Sequence, residues 1–176
     1  EPAGKRTVLA LDVSGSMDGG EVAGVPGLTP RVASAAMAMV TYRTELRCAV
    51  VAFSNKMTSV DFSKQERLAN VCQHVQRIPM GGTDCALPML WALGQKVEAD
   101  TFVIYTDSET WAGEVHPVQA LQRYRRETGI PARLAVVGLV SNGFSIADPA
   151  DAGMLDVVGF DASAPAVLSG FSAGKV

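Results

Sequence analysis

The chain of 176 residues carries a formal net charge of −3, with 48% hydrophobic and 19% charged residues. A chain of this length buries roughly 70% of its unfolded surface, enough for one sizeable core, and its composition excludes a disordered tail or linker. An acidic balance argues against a self-sufficient nucleic-acid module, which is normally basic, and no apolar run approaches the ~18 residues of a membrane span.

Hydrophobic period switches repeatedly along the chain. Residues 7–13 (TVLALDV) form a short, nearly continuous apolar run, and a glycine-rich loop follows over residues 19–30. Residues 30–43, rich in Ala and Met, reach helical length. Residues 48–53 (CAVVAF) are a second apolar run, and residues 57–62 suggest an antiparallel edge strand beside it. The stretch 64–76 places Leu68, Val71, Cys72 and Val75 on one helical face. A helix over 87–93 precedes the run 101–106 (TFVIYT), and a helix over 117–127 ends at Gly129 and Pro131. The run 134–140 (LAVVGLV), a short strand over 156–160 and a closing helix over 165–171 complete the series. Apolar runs without alternation suit strands buried on both faces. Their alternation with helices predicts an α/β domain with helices on both faces of a mostly parallel sheet and right-handed crossovers.

Cys48, Cys72 and Cys85 cannot all pair and show no C-x-x-C spacing, so thiols in a reducing compartment are expected, and with them a cytoplasmic protein, or a nuclear one if eukaryotic. The first residue is Glu1 and no signal segment follows, so residues 1–176 read as one domain of a longer protein.

The most informative motif closes the first strand run: Asp12-Val13-Ser14-Gly15-Ser16. Ligands of open α/β sheets bind beyond the carboxyl ends of the strands. Asp12, Ser14 and Ser16 are spaced two apart and converge if the chain curls at Gly15. They offer hard oxygen atoms, the chemistry of Mg²⁺ or Mn²⁺ rather than zinc or copper. Thr83, in a Gly81-Gly82-Thr83-Asp84 turn, and Asp107, at the end of a strand run, add two oxygen donors. The competing reading is a turn in which Asp and Ser bond only to nearby backbone, and agreement of three separate segments weighs against it.

This D-x-S-x-S, with a loop Thr and a strand-end Asp behind it, resembles the metal-ion-dependent adhesion site of the von Willebrand factor A family, in order and spacing over nearly the whole chain. Residues 78–89 (IPMGGTDCALPM), 106–113 with His116-Pro117, 141–149, 153–156 and 159–161 sharpen the resemblance to the A-type domain of the Ro autoantigen (Ro/SS-A ribonucleoprotein) family. The resemblance implies a Rossmann-like, doubly wound sheet of about six strands with one antiparallel edge. It implies metal ligation by the hydroxyls of Ser14, Ser16 and Thr83, with Asp12 and Asp107 acting directly or through water. It further implies an interaction module, not an enzyme, that binds Mg²⁺ or Mn²⁺ and takes a carboxylate from a protein ligand. In that family a separate ring of helical repeats in the same parent chain binds small Y RNAs and the ends of misfolded RNAs. This domain would close that ring and meet Y RNA only through the parent. The alternative within the family is a purely structural domain that recruits nothing.

A metal-dependent hydrolase is the reading from another class. A phosphatase of the haloacid-dehalogenase kind carries D-x-D after its first strand, and Ser14 stands where the second Asp would be. The G-x-S-x-G match at residues 170–174 lies too near the last residue to have the strand and helix that a nucleophile elbow needs. His74 reads as a surface residue and His116 as a helix-entry residue, so no acid–base pair emerges. Trp91 and Cys85 are expected in the core, Trp111 in the loop after Asp107, and the Arg123–Arg126 run on a solvated helix face.

Overall fold

The computed structural model describes residues 2–107, 112–140 and 145–176. Among them, six strands form one sheet: β1 (Arg6–Asp12), β2 (Arg47–Phe53), β3 (Met57–Ser59), β4 (Thr101–Thr106), β5 (Arg133–Gly138) and β6 (Met154–Val158). The helices are α1 (Pro30–Thr44), α2 (Leu68–Gln76), α3 (Leu87–Gly94), α4 (Pro117–Thr128) and α5 (Ala164–Ser172). The spatial order is β3-β2-β1-β4-β5-β6, with only the β2–β3 pair antiparallel. The order reverses at β1, so the switch point where ligands collect lies between β1 and its neighbours.

Successive residues of β1 serve opposite faces, as the pleat requires. Leu9 and Leu11 join Val103, Tyr105, Ala135 and Val137 in one core with Val71, Val75, Leu168 and Phe171 of α2 and α5. Val8 and Ala10 join Phe102, Ile104, Leu134 and Val136 in the other, with Met89, Ala120, Leu121 and Tyr124 of α3 and α4. Each fully buried large side chain contributes about 1.5–3 kcal/mol, which is why these strands show no polar alternation.

The elements fall where their caps and breakers put them. Thr29 caps α1 by accepting from the Val32 N–H, with Pro30 at the first helical position. His116 caps α4 by accepting from Val118 N–H, and Gly129 ends it in the left-handed region.

Three boundaries differ from the sequence reading. Helix α2 starts at Leu68, not at residue 64, because Arg43 takes the carbonyls of Lys64 and Glu66 that a helix would use. The edge strand β3 ends at Ser59, three residues early. Strand β6 starts at Met154 and closes before Gly159, whose φ of 106° cannot continue a strand. Two burial expectations also shift: Leu68 is 41% exposed, off the buried face of Val71 and Val75, and Trp91 is only half-buried at the margin of its core. Cys85 is buried, His74 is exposed against the edge of the Phe62 ring, and no disulfide joins the three cysteines. Trp111 and residues 141–144 lie outside the described residues.

Candidate metal site at the carboxyl end of the sheet

Strand β1 delivers Asp12 to the end of the sheet fully buried, and the chain then turns through a short 3-10 segment, Gly15–Asp18. The turn is set by Asp12 itself, whose Oδ1 accepts the Ser14 N–H at 2.8 Å. It brings the Ser14 and Ser16 hydroxyl oxygens to 3.2 Å from each other. Neighbouring oxygens around an octahedral Mg²⁺ at 2.0–2.1 Å stand about 3.0 Å apart, so the pair is already spaced like adjacent ligands. Ser14 is buried and Ser16 exposed, so the cluster has a floor and an opening.

The other two segments are fastened to this turn. Thr106, the last residue of β4, donates its hydroxyl to Asp12 Oδ2 at 2.7 Å, which places the next residue, Asp107, beside Asp12. The Thr83 loop is held by Gly15 N–H donating to the Gly81 carbonyl, Asp84 N–H to the Ser54 carbonyl and Ala112 N–H to the Thr83 carbonyl. Two glycines lie close against side chains of this region. A Cβ on Gly81 would press on the Asn55 and Ser54 side chains, and one on Gly113, at φ 88°, would run into the Asp84 carboxylate.

The electrostatics single out two atoms. Burial pushes the Asp12 carboxyl up to about 6, with the Asp107 charge adding to it and the Ser14 and Thr106 hydrogen bonds opposing it. Thr83 Oγ1 is fully buried and has no hydrogen-bond partner among the described residues. A buried hydroxyl without a partner costs about 1–3 kcal/mol, and its oxygen lone pairs are free to ligate a cation. Two carboxylates and three hydroxyls, hard oxygen throughout, fit a divalent cation of the Mg²⁺ or Mn²⁺ type. No cluster of three His, Cys, Asp or Glu occurs among the described residues.

Sequence reasoning named Asp12, Ser14, Ser16, Thr83 and Asp107, and the fold gathers their segments at one end of the sheet. It missed Thr106 as the donor to Asp12 and Gly113 as the residue lying against Asp84. It also missed Arg31, whose guanidinium reaches the Val13 and Ser14 carbonyls. The signal for Arg31 was available: it is the one charge among residues 30–42.

A metal-type oxygen cluster on a doubly wound sheet with one antiparallel edge is where family comparison becomes decisive. The family model of the Ro60 vWA domain matches residues 6–172. The chain belongs to that family. It is 50% identical over 176 residues to the "RNA-binding protein RO60" of Deinococcus radiodurans, covering all of this chain and 33% of that protein. It is 43% identical to the protein of the same description from Caenorhabditis elegans, covering 99% of this chain and 27% of the relative. The chain therefore spans about a third or less of the length of these Ro60 relatives. The crystal structure of the Deinococcus radiodurans RO (RSR) protein superposes with a TM-score of 0.90 over the whole chain and 36% of that structure's chain. The Ro60 vWA fold, with its mostly parallel six-stranded sheet, is thus shared in full, and the antiparallel β3 edge expected from the sequence is present.

Proposed function

We propose that this Ro60 vWA domain is a divalent-cation-dependent interaction module rather than an enzyme. Ser14, Ser16 and Thr83 hold the ion through their hydroxyls, and Asp12 and Asp107 hold it directly or through water. The observation that carries this reading is the buried Thr83 Oγ1, without a partner among the described residues and set in the same end of the sheet as the other four oxygen donors. The exposed side of the cluster at Ser16 is where a carboxylate of a protein ligand reaches the ion, and the bound ion supplies the positive charge that such a ligand recognises. RNA binding, including any binding of Y RNA or misfolded RNA, belongs to the remainder of the parent Ro60 chain, in keeping with the name of the relatives and with the acidic charge of this one. The two histidines serve structure: His116 caps α4 and His74 packs on Phe62.

Thr83→Val tests this directly. The substitution replaces the partnerless hydroxyl by a methyl of the same shape, so in EDTA the variant stays folded and melts at or slightly above the wild type. Mn²⁺ at about a hundredfold over its Kd stabilises the wild type by about 2.7 kcal/mol, roughly 5–10 °C for a domain of this size, and leaves the variant unmoved. An equal Mn²⁺ shift in both proteins overturns the assignment. Hydrolysis of a phosphate ester with Mn²⁺, lost in Thr83→Val, would restore the enzyme reading.

A further inference from the structure

The geometry points to Arg31 as the positioning residue that holds the two hydroxyl-bearing loops of the metal site in register; this rests on the metal reading above. Arg31 lies in the first turn of α1 and is 0% exposed. Arginine is almost never fully buried unless its charge and donors are met. Here the two terminal nitrogens are met from two separate segments, and the charge by Asp18 beside Nε. Nη1 donates to the carbonyls of Val75 and Ile78 at 3.2 and 3.1 Å. Nη2 donates to the Val13 carbonyl at 2.8 Å and more weakly to that of Ser14 at 3.4 Å. Asp18 Oδ1 lies 2.9 Å from Nε, near enough for an ion pair though not aligned for a hydrogen bond.

These partners are the roots of the ligand-bearing segments. Val13, Ser14 and Asp18 bracket the turn that presents the Ser14 and Ser16 hydroxyls. Val75 lies in the last turn of α2 and Ile78 two residues past its end, and the chain runs on through Pro79 and Met80 into Gly81, Gly82 and Thr83. The Gly15–Gly81 backbone bond also joins the two segments, at a long 3.2 Å. One planar guanidinium bridging both roots fixes the distance between Ser14 Oγ and Thr83 Oγ1 more firmly than that bond alone. A helix C-terminus that merely needed its carbonyls met would engage one nitrogen and leave the second with no cause to turn toward Val13. The fork has a fixed geometry that a lysine ammonium cannot reproduce.

The test uses the whole chain, with Arg31→Lys as the main variant, Asp18→Asn as a milder one and Leu168→Ala as a comparator. Leu168 is in the same core, on α5, and has no part in either loop. Mn²⁺ affinity is read by titration and amide exchange of Gly15 by NMR in EDTA. Arg31→Lys is expected to weaken Mn²⁺ about tenfold or more, the usual loss when the support of a metal ligand is removed, and to speed exchange at Gly15. Leu168→Ala lowers the melting temperature but keeps Mn²⁺ affinity within about twofold. Wild-type affinity in Arg31→Lys, or an equal loss in Leu168→Ala, overturns the proposal. Should Arg31→Lys not fold, Asp18→Asn decides, with weakened Mn²⁺ binding supporting the proposal and unchanged binding overturning it. A wild type that binds no Mn²⁺ overturns the metal reading itself, and this proposal with it, whatever the variants do.

Discussion

Where the strands begin, charge is met by charge. Arg6 pairs with Asp100 and Glu98, its backbone N–H also donates to Asp100, and Asp100 in turn accepts the Arg6 guanidinium on both oxygens. The Arg6 partner holds the Asp100 carboxyl below the ordinary carboxylate range. Where the strands finish, the polar groups are better buried and worse matched. Asp12 is pushed upward by burial, with Asp107 as a like charge beside it, and Thr83 Oγ1 has no hydrogen-bond partner among the described residues. Both ends belong to the same strands, β1 and β4, so the difference is one of side chains and not of fold. At the first end a carboxylate is matched by a guanidinium, although the buried Thr101 Oγ1 there also lacks a partner among the described residues; at the second a buried carboxylate faces a like charge. A buried carboxylate pushed upward beside a like charge is a better pointer to a functional end than the number of charges there.

The largest way to break this contrast is Asp12→Asn. Because burial raises the folded-state value to about 6, folding favours the protonated carboxyl. The stabilising contribution is present in full below the ordinary carboxylate value and is lost as pH rises through about 6. At pH 8 in EDTA the ionised Asp12 therefore costs the protein up to roughly 3 kcal/mol. The amide keeps an acceptor for the Ser14 N–H, so the metal-free variant should be more stable than the wild type at pH 8 and should lose that advantage at pH 4, by urea denaturation. A wild type equally stable at both pH values, relative to the variant, contradicts the account.

Next in size is Gly113→Ala. The new methyl meets the Asp84 carboxylate in a left-handed backbone, a strain of about 1–3 kcal/mol. It also moves the neighbouring Ala112 N–H, which holds the Thr83 carbonyl. Both the denaturation midpoint and Mn²⁺ affinity should fall, whereas loss of stability alone would separate Gly113 from the site.

Asp100→Asn sharpens the contrast from the other end. A depressed carboxyl stabilises above its unfolded value, and that contribution is lost as pH falls through its folded one. The variant should thus be less stable than the wild type at pH 7, by about 1 kcal/mol for a partly buried, two-pronged pair, with the gap narrowing as pH falls below the carboxylate range. Mn²⁺ affinity should not change, since Asp100 sits at the far end of β4.

The contrast also explains what could be read in the sequence. The strand runs were legible because residues such as Val8 and Leu9 are buried on both faces of one sheet, leaving no polar alternation to confuse them. Asp12, Ser14 and Ser16 were legible because their spacing is local, and Thr83 and Asp107 because each closes a recognisable turn or strand. The start of α2 was not, since Arg43, over twenty residues upstream, takes the carbonyls of Lys64 and Glu66. Nor were the parts of Thr106, Gly113 and Arg31, each of which acts on a residue from another element. Spacing within a segment is written in the sequence; a partner brought by the fold is not.

The central claim is that the oxygen cluster at the carboxyl end of the sheet holds a divalent cation. The most direct measurement is an anomalous difference map from crystals of this chain grown with saturating Mn²⁺. The account predicts a single strong peak within about 2.3 Å of the Ser14, Ser16 and Thr83 hydroxyl oxygens, with Asp12 and Asp107 in direct or water-bridged contact. A clear map of these five side chains with no peak among them, or a peak elsewhere and none here, would contradict it.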